Sequence, residues 1–151
     1  MAYPIMEALD ADNTLIKEYQ YWKLCLRTEQ NKLGRCVAIV KREGVFPLSE
    51  VTAEEMAEYA LVTKDIEKVL KETFGAFLVQ HMCLMWVDKH AHFHIIPRYD
   101  KPVTFAGREW VDDGKPNPLL QEGITLESAE FKEMLEKMRE GTSNIRETLA
   151  D

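Results

Sequence analysis

His90-Ala91-His92-Phe93-His94-Ile95-Ile96-Pro97-Arg98 holds three of the four histidines of the chain, each two residues from the next. Successive side chains of a β-strand point to opposite faces. As a strand, the stretch puts His90, His92, His94, Ile96 and Arg98 on one face and Ala91, Phe93, Ile95, Pro97 and Tyr99 on the other. As a helix, the same histidines would lie roughly 200° apart pair by pair and could not act together. The period therefore selects a strand with one chemical face and one packing face.

The residues on either side extend this into a fold. Ala76 to Val87 is strongly apolar, with Phe77, Val79, Met82, Leu84 and Trp86, and is expected to be a strand joined to the histidines by a tight connection at Asp88-Lys89. Before it lies the clearest helix. Thr52 and Glu55 form a capping box, and Met56, Tyr59, Ala60, Thr63, Ile66, Val69 and Leu70 follow at helical spacing. Gly75 is placed to end that helix after Phe74. Arg35 to Lys41 is β-branched and apolar. It is expected to be a central strand, antiparallel to a strand-like stretch from Thr14 to Thr28 that breaks near Lys17-Glu18. Glu29 to Gly34 makes the turn between them, and residues 1–13 read as an irregular lead-in.

Downstream, residues 100–123 carry Pro102, Gly107, Gly114, Pro116, Pro118 and Gly123, the pattern of a long loop that is functional or mobile. Ser128 opens a last helix over about 127–140, with Phe131, Met134, Leu135 and Met138 on one face, and the polar tail after Gly141 is expected to fray. The sum is an α+β domain over residues 1–151 with its core at about 14–99. An antiparallel sheet of about five strands carries one long packed helix and a C-terminal helix.

Composition narrows the function. Hydrophobic residues make up 46% and charged residues 30%, ordinary for a soluble protein. No signal peptide or membrane-length apolar run is present, so a cytoplasmic protein without a membrane partner is expected. The formal charge of −7, with no basic run, argues against nucleic acid as a partner but leaves small anions open. Cys25, Cys36 and Cys83 are odd in number and lack CxxC spacing, which points to buried structural thiols.

Three imidazoles on one strand face allow three readings. They can ligate zinc, with an open position for water and a fourth ligand from His81, Asp88 or Glu43. A neutral imidazole can instead attack phosphorus and form a covalent phosphoramidate, given a free nitrogen and a hydrogen bond that holds its tautomer. Finally, each histidine can be a half-buried polar residue with a partner. Strict alternation with only apolar residues between argues against this last, because adjacent titratable rings cost stability unless neutral or paired.

His90-Ala91-His92-Phe93-His94-Ile95-Ile96 fits His-φ-His-φ-His-φ-φ and resembles the motif of the histidine triad (HIT) family. Pro97-Arg98, the order of elements, and Phe105-Ala106-Gly107-Arg108-Glu109-Trp110 also look like a bacterial branch of it, over roughly residues 14–118. The resemblance implies a homodimeric nucleotide hydrolase or transferase acting at the α-phosphate, with no cofactor and no metal needed for chemistry. It implies His92 as the nucleophile, His90 as the residue that orients it, and His94 as a contact to phosphate or leaving group. His94, where some transferring relatives have Gln, points to hydrolysis of a dinucleoside polyphosphate or nucleoside phosphoramidate. A nucleotidyltransferase or phosphorylase, a non-catalytic nucleotide-binding protein and a zinc-dependent hydrolase are the alternatives.

The chain departs from the family at three places. Met85-Trp86-Val87-Asp88 replaces a Gly-Gln pair, and Gln80 and His81 are the residues able to substitute. Glu43 replaces a loop histidine, and Arg27, with Glu29 nearby, aligns with an acid used for the ribose. Gln80, His81 and Arg98 are thus the expected substrate-binding residues. For Arg98 an ordinary ion pair at the sheet end is equally open, and for His81 a half-buried structural role. Trp86 and Trp110 either stack on a base or fill core. The acidic stretch Glu109 to Asp113 either holds a divalent ion bound to phosphates or packs over the sheet.

Overall fold

The computed structural model describes residues 4–118 and 123–150. Five strands form one antiparallel sheet: β1 (Leu15–Glu18), β2 (Trp22–Leu26), β4 (Cys36–Val40), β5 (Leu78–Met82) and β6 (His92–Arg98), in the order β1-β2-β4-β6-β5. The histidine strand is therefore internal, paired on both sides. Helices α2 (Ala53–Phe74) and α3 (Ser128–Ala150) pack on one another and on one sheet face. A short helix, α1 (Pro4–Ala8), packs on the opposite face. Two small ribbons complete the described chain: β3 (Glu29–Gln30) with β9 (Ile124–Thr125), and β7 (Val103–Phe105) with β8 (Arg108–Trp110). Among the described residues no helix is long and apolar enough to cross a membrane.

The two faces carry separate cores. Trp22, Leu24, Leu26, Ala38, Val40 and Ile95 meet Ile66, Leu70, Met134 and Met138 beneath the long helices. Cys25, Val37 and Ile39 meet Ile5, Met6 and Ala11 on the other side. Alternation along β2 and β4 makes this division, since odd and even positions face opposite ways. Trp22 lies fully buried and donates its indole N–H to the Glu55 carbonyl at 2.7 Å.

Helix α2 begins and ends where expected. Thr52 and Glu55 complete the capping box, and Gly75 closes the helix in the left-handed region at φ 84°. Its inward stripe is rotated, however. Glu55, Tyr59, Val62, Ile66, Val69, Leu70 and Phe74 face inward, while Met56 and Ala60 are exposed. The cause is polar. The Glu55 carboxylate takes the Thr52 amide and the Arg42 guanidinium, and Asp65 further along the helix takes Lys17 and the Tyr19 hydroxyl. Charges buried with partners turn the helix by about one residue.

Four other expectations are corrected. Residues 4–8 are helical, because Ile5 and Met6 have an apolar sheet face to cover; residues 1–3 of the expected lead-in lie outside the described residues. The strand expected from Ala76 to Val87 ends at Met82, leaving Leu84, Trp86 and Val87 exposed and Cys83 half-buried in a loop. The long loop over 100–123 contains the β7–β8 hairpin, turned by Ala106 and Gly107 at φ 54° and 74°, the left-handed pair that a tight two-residue turn demands; residues 119–122 of it lie outside the described residues. Helix α3 continues past Gly141, where a Cβ would lie 2.9 Å from Val69 Cγ1, so glycine there permits close helix packing.

A buried ion pair ties the hairpin to the sheet. Arg98 donates through Nε and Nη2 to Asp112 at 2.8 and 2.7 Å, and the amides of Tyr99 and Gly114 bond the same carboxylate. Arg98 and these amides hold the Asp112 carboxyl well below the usual carboxylate range. Removing one partner of a buried pair leaves the other charge stranded. Arg98→Ala should therefore lower unfolding free energy by about 3 kcal/mol in urea titration.

Candidate active site

Register decides what the histidine strand presents. His92 pairs opposite Ile39 and His94 opposite Val37, which puts both imidazoles on the α1 side of the sheet. Phe93 and Ile95 take the helix side, Phe93 stacked on Tyr59 at 4.3 Å. His90 does not belong to the strand. Its would-be partner β4 ends at Val40, and there the His90 ring takes the place of the ladder: Nε2 donates to the Val40 carbonyl at 2.7 Å. The Asp88 carboxylate accepts from the His90 amide at 3.0 Å and shapes the approach.

The central contact follows. His92 Nδ1 lies 2.6 Å from the His90 carbonyl oxygen. A carbonyl can only accept, so Nδ1 carries a proton, and the neutral tautomer that this bond selects has its lone pair on Nε2. His94 stands edge-on to His92, with ring centroids 5.0 Å apart. Burial lowers the basicity of His90, and burial lowers that of His94 to about 3, with help from His92, Arg35 and Arg27. Both rings are neutral at ordinary pH.

His92 and His94 line a cavity of about 460 Å³. Ile5, Ala8 and Leu9 of α1 form one apolar wall and Leu84, Trp86 and Val87 another; His92, His94, Arg27 and Asp88 supply the polar part. An apolar cleft with a few convergent polar groups is the usual form of a small-molecule site. Among the described residues no group of three or more His, Cys, Asp or Glu side chains is arranged to hold a metal ion.

The expected binding residues lie elsewhere. His81 pairs opposite Ile95, so it faces the helix layer, where its ring meets the Tyr59 hydroxyl at 2.9 Å and Glu67 at 2.8 Å. Gln80 shares the histidine face but stands at the sheet end, accepting from Arg98 and donating to the Pro116 carbonyl. Arg98 takes its ion-pair role. Asp112 and Asp113 pair with Arg98 and Lys32, so the acidic stretch packs over the sheet. Trp110 is buried, whereas Trp86 is exposed beside the cavity with Lys89 over its ring. The α1 wall was not visible in the sequence as a site element. Its sequence signal was Ile5, Ala8 and Leu9, apolar residues at helical spacing in a stretch read as an irregular lead-in.

The fold is that of histidine triad proteins of known structure. A histidine triad protein from Marinobacter aquaeolei matches with a TM-score of 0.73 at 17% identity, over 94% of this chain and 97% of its own. A hypothetical histidine triad nucleotide-binding protein from Sulfolobus tokodaii matches at 0.70 and 18%, over 91% and 89%. A zinc-bound histidine triad family protein from Mycobacterium smegmatis matches at 0.64 and 16%, over 95% of both chains. No protein-family model matches the chain, and no curated protein matches it.

The neutral rings make stability depend on pH. Below about pH 6.5 the unfolded chain binds more protons at these histidines than the folded chain does, so stability is present in full above that pH and is lost as pH falls. Melting temperature should fall between about pH 7 and pH 4.5, above the window in which Asp112 titrates, and His94→Asn should flatten that slope in a thermal-shift series.

Proposed function

We propose that the protein is a histidine triad nucleotide hydrolase. It cleaves at the α-phosphate of a dinucleoside polyphosphate or a nucleoside phosphoramidate, through a nucleotidyl group carried on His92. The observation that supports this best is the hydrogen bond from His92 Nδ1 to the His90 carbonyl, which leaves Nε2 as a nucleophile at the cavity. His90 acts as a positioning residue, fixed by Val40 and Asp88. The walls of α1 and Leu84, Trp86 and Val87 suit the base, and neutral His94, edge-on to His92 at the cavity, is available to contact a phosphate oxygen.

In the first step Nε2 attacks phosphorus in line. The Nε2–P bond forms, the bond from phosphorus to the leaving group breaks, and the leaving group takes a proton from solvent or a neighbour. In the second step water attacks phosphorus, the Nε2–P bond breaks, and a proton returns to solvent. Two covalent steps replace one difficult one. The same first step serves a transferase if an acceptor other than water enters. One observation favours binding without turnover: the amide of Gln80 is committed to Arg98 and Pro116 rather than the cavity.

A homodimer belongs to this reading. β5 is an edge strand, and its first residue Leu78 and the preceding Phe77 are exposed. The three free thiols favour a reducing compartment, the cytoplasm.

Wild-type protein should hydrolyse one of these substrate classes in chelator, and His92→Ala should lose roughly 10⁴-fold or more of that turnover with an unchanged melting curve. A quenched reaction should yield an acid-labile nucleotidyl adduct. Undiminished hydrolysis by His92→Ala would refute the mechanism, activity restored only by zinc would favour the metal reading, and binding without turnover would favour a sensor.

A further inference from the structure

Among the described residues the arginines behave in two ways. Arg42, Arg98 and Arg108 each meet a carboxylate, Glu55, Asp112 and Glu130 respectively, and Arg139 donates to the Leu15 carbonyl. Arg27 and Arg35 do not: among the described residues neither guanidinium is in an ion pair or a hydrogen bond. Arg35 is only 6% exposed, and its Nε is buried without a partner.

Their position is set by the β2–β4 ladder. Leu26 pairs opposite Cys36, both in the core beneath the long helices. The next residues outward, Arg27 and Arg35, are joined by a backbone bond from the Arg27 amide to the Arg35 carbonyl at 3.1 Å. Alternation then turns them to the other face, with Cys25 and Val37, and His94 stands opposite Val37. Same-face neighbours on a strand lie roughly 7 Å apart, so the arginine pair is one step beyond His94. Arg27 lines the cavity together with His92 and His94.

We infer that Arg27 and Arg35 form a second anion subsite beside His94, which takes a further phosphate of the substrate in addition to the one attacked at His92. Two adjacent guanidiniums at the end of a largely apolar cleft are costly unless a negative group joins them. The carboxylate whose charge acts on both is Glu29, and its Oε1 accepts from the Gly123 amide at 3.1 Å. Burial and the neighbouring Arg27 lower the basicity of Arg35 to about 10, the mark of incomplete compensation. A phosphate offers oxygens in the geometry that guanidinium forks match. The diol of a plain ribose offers no charge to answer them. That the phosphate belongs to a nucleotide rests on the proposed function; the subsite itself does not.

Binding of AMP, ADP, adenosine 3′,5′-bisphosphate and inorganic pyrophosphate, measured by calorimetry on wild type, Arg27→Gln and Arg35→Met, tests the subsite. Either ADP or the 3′,5′-bisphosphate should bind wild type about tenfold tighter than AMP, the scale of a charge-assisted contact, and Arg27→Gln should erase that advantage. A gain for ADP assigns the phosphate to the polyphosphate chain; a gain for the 3′,5′-bisphosphate assigns it to the sugar. Neither gaining, or a gain that survives in both variants, overturns the inference. Should no nucleotide bind, the proposed function falls and pyrophosphate decides: binding weakened about tenfold in the variants upholds the subsite, and absent or unaltered binding overturns it. Arg27→Gln alone decides if Arg35→Met does not fold. It should also melt no lower than wild type, because it relieves a repulsion, whereas loss of a purely structural arginine would lower the melt.

Discussion

The pairing of β6 with β4 is the constraint on which the rest depends. Ile39 opposite His92 and Val37 opposite His94 set the parity of the whole strand. A slip of one residue would drive the imidazoles under the long helices and push Phe93 and Ile95 into the cavity. Apolar burial on both sides resists that slip. Phe93 stacks on Tyr59 and packs against Trp22, and Ile95 is fully buried. The end of the pairing matters as much as its register. Because β4 stops at Val40, His90 leaves the ladder and its ring bonds the free end of the neighbouring strand. Its own carbonyl is thereby held where His92 needs an acceptor. A packing rule and a strand terminus together hold one tautomer.

Electrostatics divides the molecule into compensated and uncompensated parts. Asp65, Glu55 and Asp112 are buried, and each has a cationic partner. On the histidine face the pattern changes. His90 and His94 are neutral because burial disfavours their charge, while Arg27 and Arg35 keep theirs with no ion pair. A chain of formal charge −7 thus holds a locally positive end to this cleft. Net charge alone says nothing against a small anion that enters a pocket.

Much of the fold was legible where one short-range signal acted alone. The capping box at Thr52 and Glu55, the left-handed stop at Gly75 and the antiparallel pair β2–β4 depend on neighbours in sequence or on a simple alternation. Signals were misread where a distant partner intervened. The α2 stripe turned because Arg42 and Lys17 draw Glu55 and Asp65 inward. Residues 4–8 became helical because a sheet face needed cover, and the chain from Cys83 to Ala91 stayed out of the sheet despite its apolar composition. Apolar residues in that loop look like core in the sequence. In the fold they border a cleft.

By itself, the sequence determined a strand with imidazoles on one side, read over residues 90–98 and formed over 92–98, because a period of two permits little else. It also determined an α+β architecture with one long helix, because capping and helical spacing are local. Only the tertiary structure decided which polar residues share the cleft. His81 went to the helix layer and Arg98 and Gln80 to the sheet end, while Arg27 came to the cavity. The reason is physical: which face and which row a side chain occupies depends on strand order and register, and both are set by contacts between residues far apart in the chain.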